Sequence, residues 1–527
     1  HDFSKTTDDI ITTVSFDTLG RTVSTRSVDS DGILLSSAGA GYTANVGTSA
    51  KNNKLTLEGA AGAVSQNILV NGGFENGSYW MFEGAASYST DTAYTGSRSV
   101  KLSTVSNTAS SNAYNLQMLS EGTYSLSGRV KVTAASKTSD KVGARISVVE
   151  TNGNVLAESI YVNKVTSESV DGGWMLLHCS FDAKAGVGLR ICVTFLGIAG
   201  TAYFDNIMLQ KGDAISNFNL LDNSGFSVGL TSWVKSGTTS ADIVVKNVSD
   251  GVSGKPDMVL CVPSAPHKTA GAYQTVNLNI PGTETFMLSA FAKACSAPLD
   301  GDDDDSIFEL GAILTYSDGT TDTFKQSFNP RLFDSWQHVA VPIVPRRPKL
   351  TIKTARIYVR YDYNLNTAYF DNFALTLDGA QCYTYDDDGN VVAVNRTNTD
   401  EISNVYSGGN LISSTGGANG MFEYEYDSKH NVTKVKTSDL TMSLSYDANG
   451  NAISSRLEGG GKYMSTSATY VDGGTKVGTV TDNAGVKTVK TYVTNTDLLK
   501  RTRTEASNTN PGNALLTKKY TYDSADR

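Results

Sequence analysis

The sequence predicts an all-β chain, with two β-sandwiches followed by an array of β-hairpins. Three observations carry that prediction. Alternating segments of strand length, bounded by Gly, Asn and Asp turns, run from end to end, whereas apolar stripes at helical spacing are hard to find. The tetrapeptide Tyr203-Phe204-Asp205-Asn206 returns as Tyr369-Phe370-Asp371-Asn372. Other landmarks recur in the same order at nearly the same step: Phe74 with Phe226, Tyr124 with Phe286, Trp174 with Trp336. Offsets that drift while the order holds mean a duplicated module with loop insertions. Finally, Tyr385, Tyr406, Tyr426, Tyr446, Tyr470, Tyr492 and Tyr522 mark a shorter rhythm after the second module.

Taken in order, residues 1–27 hold one β-hairpin, in which Val14, Phe16 and Val23 flank the turn from Asp17 to Arg21. Residues 28–66 are small and polar and read as a connector with one strand, LTLEG. Residues 67–211 contain about eight turn-bounded strands, enough for a two-sheet sandwich. Residues 217–379 repeat that order. Residues 380–527 are short hairpins, each with a strand usually ending in Tyr-Asp, a Gly- or Asn-containing turn and a return strand. Such a hairpin has no core of its own and needs stacked neighbours.

Composition narrows the function. The 527 residues carry 44 basic and 53 acidic side chains, a net charge of −9, so a face that neutralises phosphates is not expected and neither is a nucleic-acid partner. No apolar run approaches the roughly 20 residues of a membrane span. Five cysteines without CxxC spacing argue against a metal cluster; Cys179 and Cys192 read as buried free thiols or as a pair. The chain starts at His1 and stops at TYDSADR in mid-pattern, which reads as a piece of something larger.

The openings NGGFENG with Trp80, the stretch GSRSVKL, Gly173-Trp174 and the closing YFDNIML resemble the galactose-binding-like jelly roll of carbohydrate-binding modules, in particular families 4, 9 and 22. The units YDDDGN and YDANGN resemble the YD repeat of Rhs, wall-associated and teneurin proteins, and the hairpin at Phe16-Asp17 fits the same repeat. The two resemblances imply tandem jelly rolls inserted in a YD array. They also imply a hollow β-shell enclosing a C-terminal toxin, of which these units would form an arc.

Candidate sites follow from chemistry and from the resemblance together. In a strand Asp205 shares a face with apolar neighbours, where an uncompensated carboxylate is costly. The resemblance implies a structural calcium there, held by Glu75, Asp205 and carbonyls of the turn from Gly96 to Arg98; the competing reading is that Asp205 accepts backbone hydrogen bonds. In the second module Asp371 remains, but Ser227 stands where Glu75 does, which makes calcium there doubtful. The acidic run of Asp300 and Asp302 to Asp305 reads as a solvated loop, with a second calcium site as the alternative. For a glycan or polysaccharide, aromatic faces and amides are needed. The nominated residues are Asn112, Tyr114, Gln117 and Tyr161 in the first module and Tyr273, Gln274, Tyr316 and Tyr361 in the second. Trp80, Trp174, Trp233 and Trp336 recur at equivalent places and read as core.

The five histidines are scattered and no GxSxG, HExxH or P-loop occurs, so no enzyme is expected. The expected function is a non-catalytic carbohydrate-binding or adhesion segment of a secreted or cell-surface bacterial protein, whose partners are a glycan and the rest of the YD shell. The alternatives are a structural part of a shell delivering a toxin and, more weakly, a glycoside hydrolase.

Overall fold

A computed structural model describes residues 10–17, 19–28, 34–43, 49–61, 66–135, 141–168, 171–213, 215–295, 306–332, 334–377, 380–396, 402–416, 420–505 and 514–523. The acidic run of Asp300 to Asp305 lies outside these residues. Secondary structure is β throughout, broken among the described residues only by short 3-10 turns such as Asp171–Gly173. The chain divides into two compact units, the first comprising residues 1–45, 53–382 and 396–398 and the second residues 46–52, 383–395 and 399–527.

Unit 1 contains both sandwiches. In module 1 the front sheet runs Val155–Glu158, Gly143–Glu150, Gly188–Leu196, Ser110–Met118, Met81–Glu83. The back sheet runs Met175–Ala183, Gly122–Ala135, Gly200–Lys211, Ser99–Thr104, Ala85–Ser89. Module 2 repeats the plan. Its front sheet is Val234–Ser236, Gly271–Pro281, Thr351–Asp362, Ile307–Tyr316, Thr321–Ser327, and its back sheet is Val244–Val248, Asp257–Pro263, Thr367–Leu377, Phe286–Ala294, Gln337–Ile343. Alternate residues of the two sheets meet in one core per module, around Phe74, Leu126, Ile191 and Phe204 in the first and Phe226, Phe286, Ile357 and Phe370 in the second.

The duplication is visible atom by atom. Asn67 Oδ1 accepts from the Leu69 and Leu209 amides, and Asn219 Oδ1 from those of Leu221 and Leu375. Trp80 Nε1 donates to the Asn71 carbonyl at 3.0 Å, and Trp233 Nε1 to that of Asn223 at 3.1 Å, each ring packed on the module's Phe74 or Phe226. Trp80, Trp174 and Trp233 are buried and Trp336 half-buried, with its Nε1 donating to the Asp250 carbonyl. The recurring Asp-Asn has a backbone reason. Asn206 and Asn372 adopt φ of 50° and 52°, the left-handed region Asn tolerates, where the strand breaks register.

Residues 28–66 are more than a connector. Leu34–Tyr42 and Leu55–Ala61 pair with one another and extend the hairpin of Ile11–Phe16 and Thr22–Val28 into a sheet; Ala380 then joins opposite Gly59. Small residues dominate this sheet because it lies against the back sheet of module 2. A Cβ on Gly39 would come within 2.5 Å of the Ala340 carbonyl oxygen. Within that contact His338 is fully buried, its Nδ1 2.8 Å from Ser24 Oγ, and Arg26 lies over the Phe291 ring.

Unit 2 is an antiparallel ladder of hairpins, among them Met421–Tyr426 with Val432–Lys436, Thr441–Tyr446 with Ala452–Gly459, and Lys487–Tyr492 with Leu499–Glu505. Two kinds of side-chain bond recur in this ladder. The aspartate closes the turn: Asp447 Oδ1 accepts from the Asn449 and Asn451 amides and Oδ2 from Asn451 Nδ2, and Asp386 and Asp427 repeat the pattern. The tyrosine hydroxyl reaches the preceding hairpin: Tyr426 to Leu411 O, Tyr446 to Val432 O, Tyr470 to Ala452 O, Tyr492 to Val477 O. In unit 1, Asp17 accepts from the Leu19 and Arg21 amides, and Tyr42 donates to Thr22 O. The hairpin of Ile11–Phe16 and Thr22–Val28 thus shares the aspartate turn, and the pair Leu34–Tyr42 and Leu55–Ala61 shares the tyrosine bond.

Candidate functional site

A strand exposes every second side chain on one face, so the front sheet of module 2 presents rows set by its register. One row is Val234, Tyr273, Tyr358, Gly311 and Lys325; a second is Ser236, Gly271, Arg360, Glu309 and Ser327; a third is Thr275, Arg356, Ile313 and Thr323. These residues line most of an open cavity of about 570 Å³. Glycine at position 311 is required: a Cβ there would sit 2.3 Å from the Tyr358 ring, which lies in the space a side chain would take. The Arg356 guanidinium stands over the Tyr273 ring at 4.6 Å. Arg360 Nε donates to Asp362 Oδ2 at 2.9 Å, and Lys325 meets Glu309 at 3.0 Å. Burial pushes the Tyr358 hydroxyl up to about 12, with the Glu309 carboxylate adding to it, so it is neutral and able to donate. Flat aromatic surface between fixed donors and acceptors suits a sugar ring, whose C–H face is apolar and whose rim is hydroxyl.

Of the four residues nominated in module 2, only Tyr273 lies on this face. Gln274 points the other way, is buried, and exchanges hydrogen bonds with the Asp222 backbone. Tyr316 and Tyr361 are core residues, their hydroxyls donating to Asp322 and Asn366. The residues that sequence reasoning missed, Arg356, Tyr358 and Arg360, stand at alternate positions of one strand, ARIYVRYD. The signal was there, but a period of two does not say which set faces out.

Module 1 keeps three of its four. Thr194 Oγ1 donates to Asn112 Oδ1, Arg190 lies over the Tyr114 ring, and Arg145 donates to the Tyr161 hydroxyl at 2.8 Å, which in turn donates to Glu158. Gln117 is on the opposite face, held by Asn115 at 2.6 Å. All five cysteines are free; Cys179 and Cys192 lie in different sheets, with burial raising their thiols to about 12 and about 11.

Among the described residues no three of His, Cys, Asp or Glu gather to hold a metal. Asp205 is fully buried, with Oδ2 accepting from the Tyr94 and Thr95 amides and Oδ1 from that of Asn206. Glu75 accepts from the Ser97 and Arg98 amides and from Ser97 Oγ. The turn from Gly96 to Arg98 thus offers N–H donors to Glu75, while burial, with Glu75 adding to it, holds the Asp205 carboxyl well above its usual range. Module 2 differs. Asp371 Oδ1 accepts from the Asn372 amide, but Oδ2 is buried without a hydrogen-bond partner. Asp257 adds a second negative charge; in register it matches Ser97, so the acid missing at Ser227 reappears on a neighbouring strand. Burial, then Asp257, raises the Asp371 carboxyl well above its usual range. The two modules thus differ in the donors that surround the same buried aspartate.

No family model matches the chain. It is 25% identical over 364 residues, 63% of its length, to the tRNA(Glu)-specific nuclease WapA of Bacillus subtilis subsp. natto, and 25% identical over 303 residues to the tRNA nuclease WapA of Bacillus subtilis strain 168. The chain spans 14% and 12% of those two proteins. Among solved structures it is similar to the CBM22-1–CBM22-2 tandem domain of Paenibacillus barcinonensis Xyn10C, at 16% identity and a TM-score of 0.22 over 59% of this chain and 98% of that one. It is also similar to TmCBM61 in complex with β-1,4-galactotriose, at 15% identity and a TM-score of 0.22 over 30% of this chain and 99% of that one. The expectation that no enzyme is involved is corrected by the WapA relatives, which are named as nucleases. No helix of the described residues is long and apolar enough to cross a membrane.

Proposed function

We propose that the chain is the carbohydrate-binding part of a longer protein that acts outside the cell or at its surface. The observation that carries this reading is the front sheet of module 2, where Tyr273 and Tyr358 stand in one row over Gly311, with Arg356, Arg360 and Glu309 on either side. Affinity electrophoresis of the whole chain through gels containing soluble polysaccharides tests it. Retardation by a polymer, reduced about tenfold by Tyr358→Ala through loss of roughly 1–2 kcal/mol of ring contact, is the expected result. Equal migration through every polymer sinks the reading.

A second reading concerns the whole protein and is favoured by the names of the WapA relatives: the parent is a nuclease acting on tRNA, and this segment is part of its YD-type shell. Degradation of tRNA by the purified parent protein is the outcome expected. A calcium ion, on the same proposal, belongs to module 2 at Asp371, whose unpartnered oxygen supports it; the ion would neutralise the buried carboxylate and its neighbour Asp257.

A further inference from the structure

The two front sheets differ in the charge they present. In module 2 the cavity is lined by three cations, Lys325, Arg356 and Arg360, and two carboxylates, Glu309 and Asp362. The carboxylates lie underneath, with side chains 4% and 2% exposed, while Lys325 is 58% exposed and Arg356 is at the surface. Lys325 and Arg360 are each paired with the acids below them. Among the described residues no carboxylate pairs with Arg356, whose guanidinium is oriented by the Tyr273 ring. On the front sheet of module 1 the charges are paired. There Arg145 is mostly covered and engaged by Glu158 and Tyr161, and outward Arg190, 39% exposed and lying over the Tyr114 ring, stands 4.0 Å from the outward carboxylate of Glu83.

We infer that the front face of module 2 selects sugars that carry carboxylates, a uronate-containing polysaccharide, with Arg356 receiving the carboxylate while Tyr273 and Tyr358 support the ring. The inference rests on the glycan reading above and names its ligand class. A planar guanidinium presents two parallel N–H donors to a carboxylate, a match no hydroxyl offers. The stacked ring fixes the fork beforehand, so little freedom is lost on binding. Because Lys325 and Arg360 are already neutralised, discrimination falls on Arg356.

The test is retention of the whole chain on immobilised polygalacturonate, its methyl ester, a neutral xylan and dextran sulfate, at about physiological salt, where distant surface charges are screened. The expected result is retention on polygalacturonate over its methyl ester, at least tenfold weaker in Arg356→Gln, intermediate in Arg356→Lys, and unaffected by Glu83→Gln on module 1. Equal retention of acid and methyl ester, or acid retention unchanged in Arg356→Gln, overturns the inference while leaving sugar binding intact. Stronger retention on dextran sulfate, equally lowered by Arg356→Gln, marks a general polyanion surface and also overturns it. Absence of retention on all four polymers overturns the inference and the glycan reading together.

Discussion

At the scale of single residues, the two Asp-Asn pairs show that one motif can be satisfied in two ways. Asp205 meets three backbone N–H donors, whereas Asp371 has one and an unpartnered buried oxygen. A buried carboxylate without partners is neutralised by a proton or by a cation. Because its folded pKa is raised, protonation of Asp371 adds stability that is present below the ordinary carboxylate range and lost as pH rises through the folded value. At neutral pH a cation would replace that loss. Calcium is therefore expected to raise the melting temperature of the wild type at pH 7, by an amount that chelator removes, and to leave Asp371→Asn unmoved. An equal response in both proteins, or one abolished by Glu75→Gln instead, would return the ion to module 1.

At the scale of elements, the Tyr-Asp hairpin divides local from non-local work. The aspartate holds its own turn through short-range bonds, so Asp447→Ala is expected to speed amide exchange at residues 447 to 451 and little elsewhere. The tyrosine hydroxyl crosses to the previous hairpin. Tyr446→Phe should cost about 1 kcal/mol, read as faster exchange in the strand beginning at Val432. An effect confined to the turn in both variants would refute this division. The same rule explains why residues 28–66 read as a connector. Tyr42 ends a strand and reaches Thr22 as Tyr446 reaches Val432, but Thr43 follows it in place of Asp, and the strand is built of Ala, Gly and Ser. Small residues there are dictated by close packing on Ala340 and Pro342, a requirement set by a partner some 300 positions away in sequence.

At the scale of the molecule, unit 1 combines titrating groups that oppose one another. Burial between the N-terminal sheet and module 2, with Arg26 adding to it, lowers His338 to about 3 from its ordinary 6.5, so its neutral form contributes stability that is full above 6.5 and lost as pH falls below it. Asp222 accepts the Asn71 amide where the opening loops of the two modules meet, and burial raises it to about 6; its contribution is full below about 4 and lost as pH rises through 6. Between pH 4 and 6 the slopes are opposite in sign, each at most about 1.4 kcal/mol per pH unit. Asp205 and Asp371, also raised by burial, act in the same sense as Asp222, so the test is the change of slope from the wild type. Relative to the wild type, His338→Gln should gain more stability on acidification and Asp222→Asn should gain less. Parallel profiles in all three proteins would show that neither group governs this unit.

The sequence by itself determined the all-β class, the duplication and the hairpin rhythm, because periods of two, recurring Asn and Tyr-Asp turns act locally and repeat in place. It also determined that Trp80 and Trp233 serve the core, since equivalent positions in both copies must solve the same packing problem. Tertiary structure alone decided which face of each strand looks outward, and thereby removed Gln117, Gln274, Tyr316 and Tyr361 from the candidate face and brought Tyr358 and Arg356 onto it. It decided where the second carboxylate of module 2 stands, because Asp257 and Asp371 are brought together by strand pairing and not by spacing along the chain. The physical reason is the same in both cases: alternation is symmetric under a shift of one residue, and only the partner packed against one side breaks that symmetry.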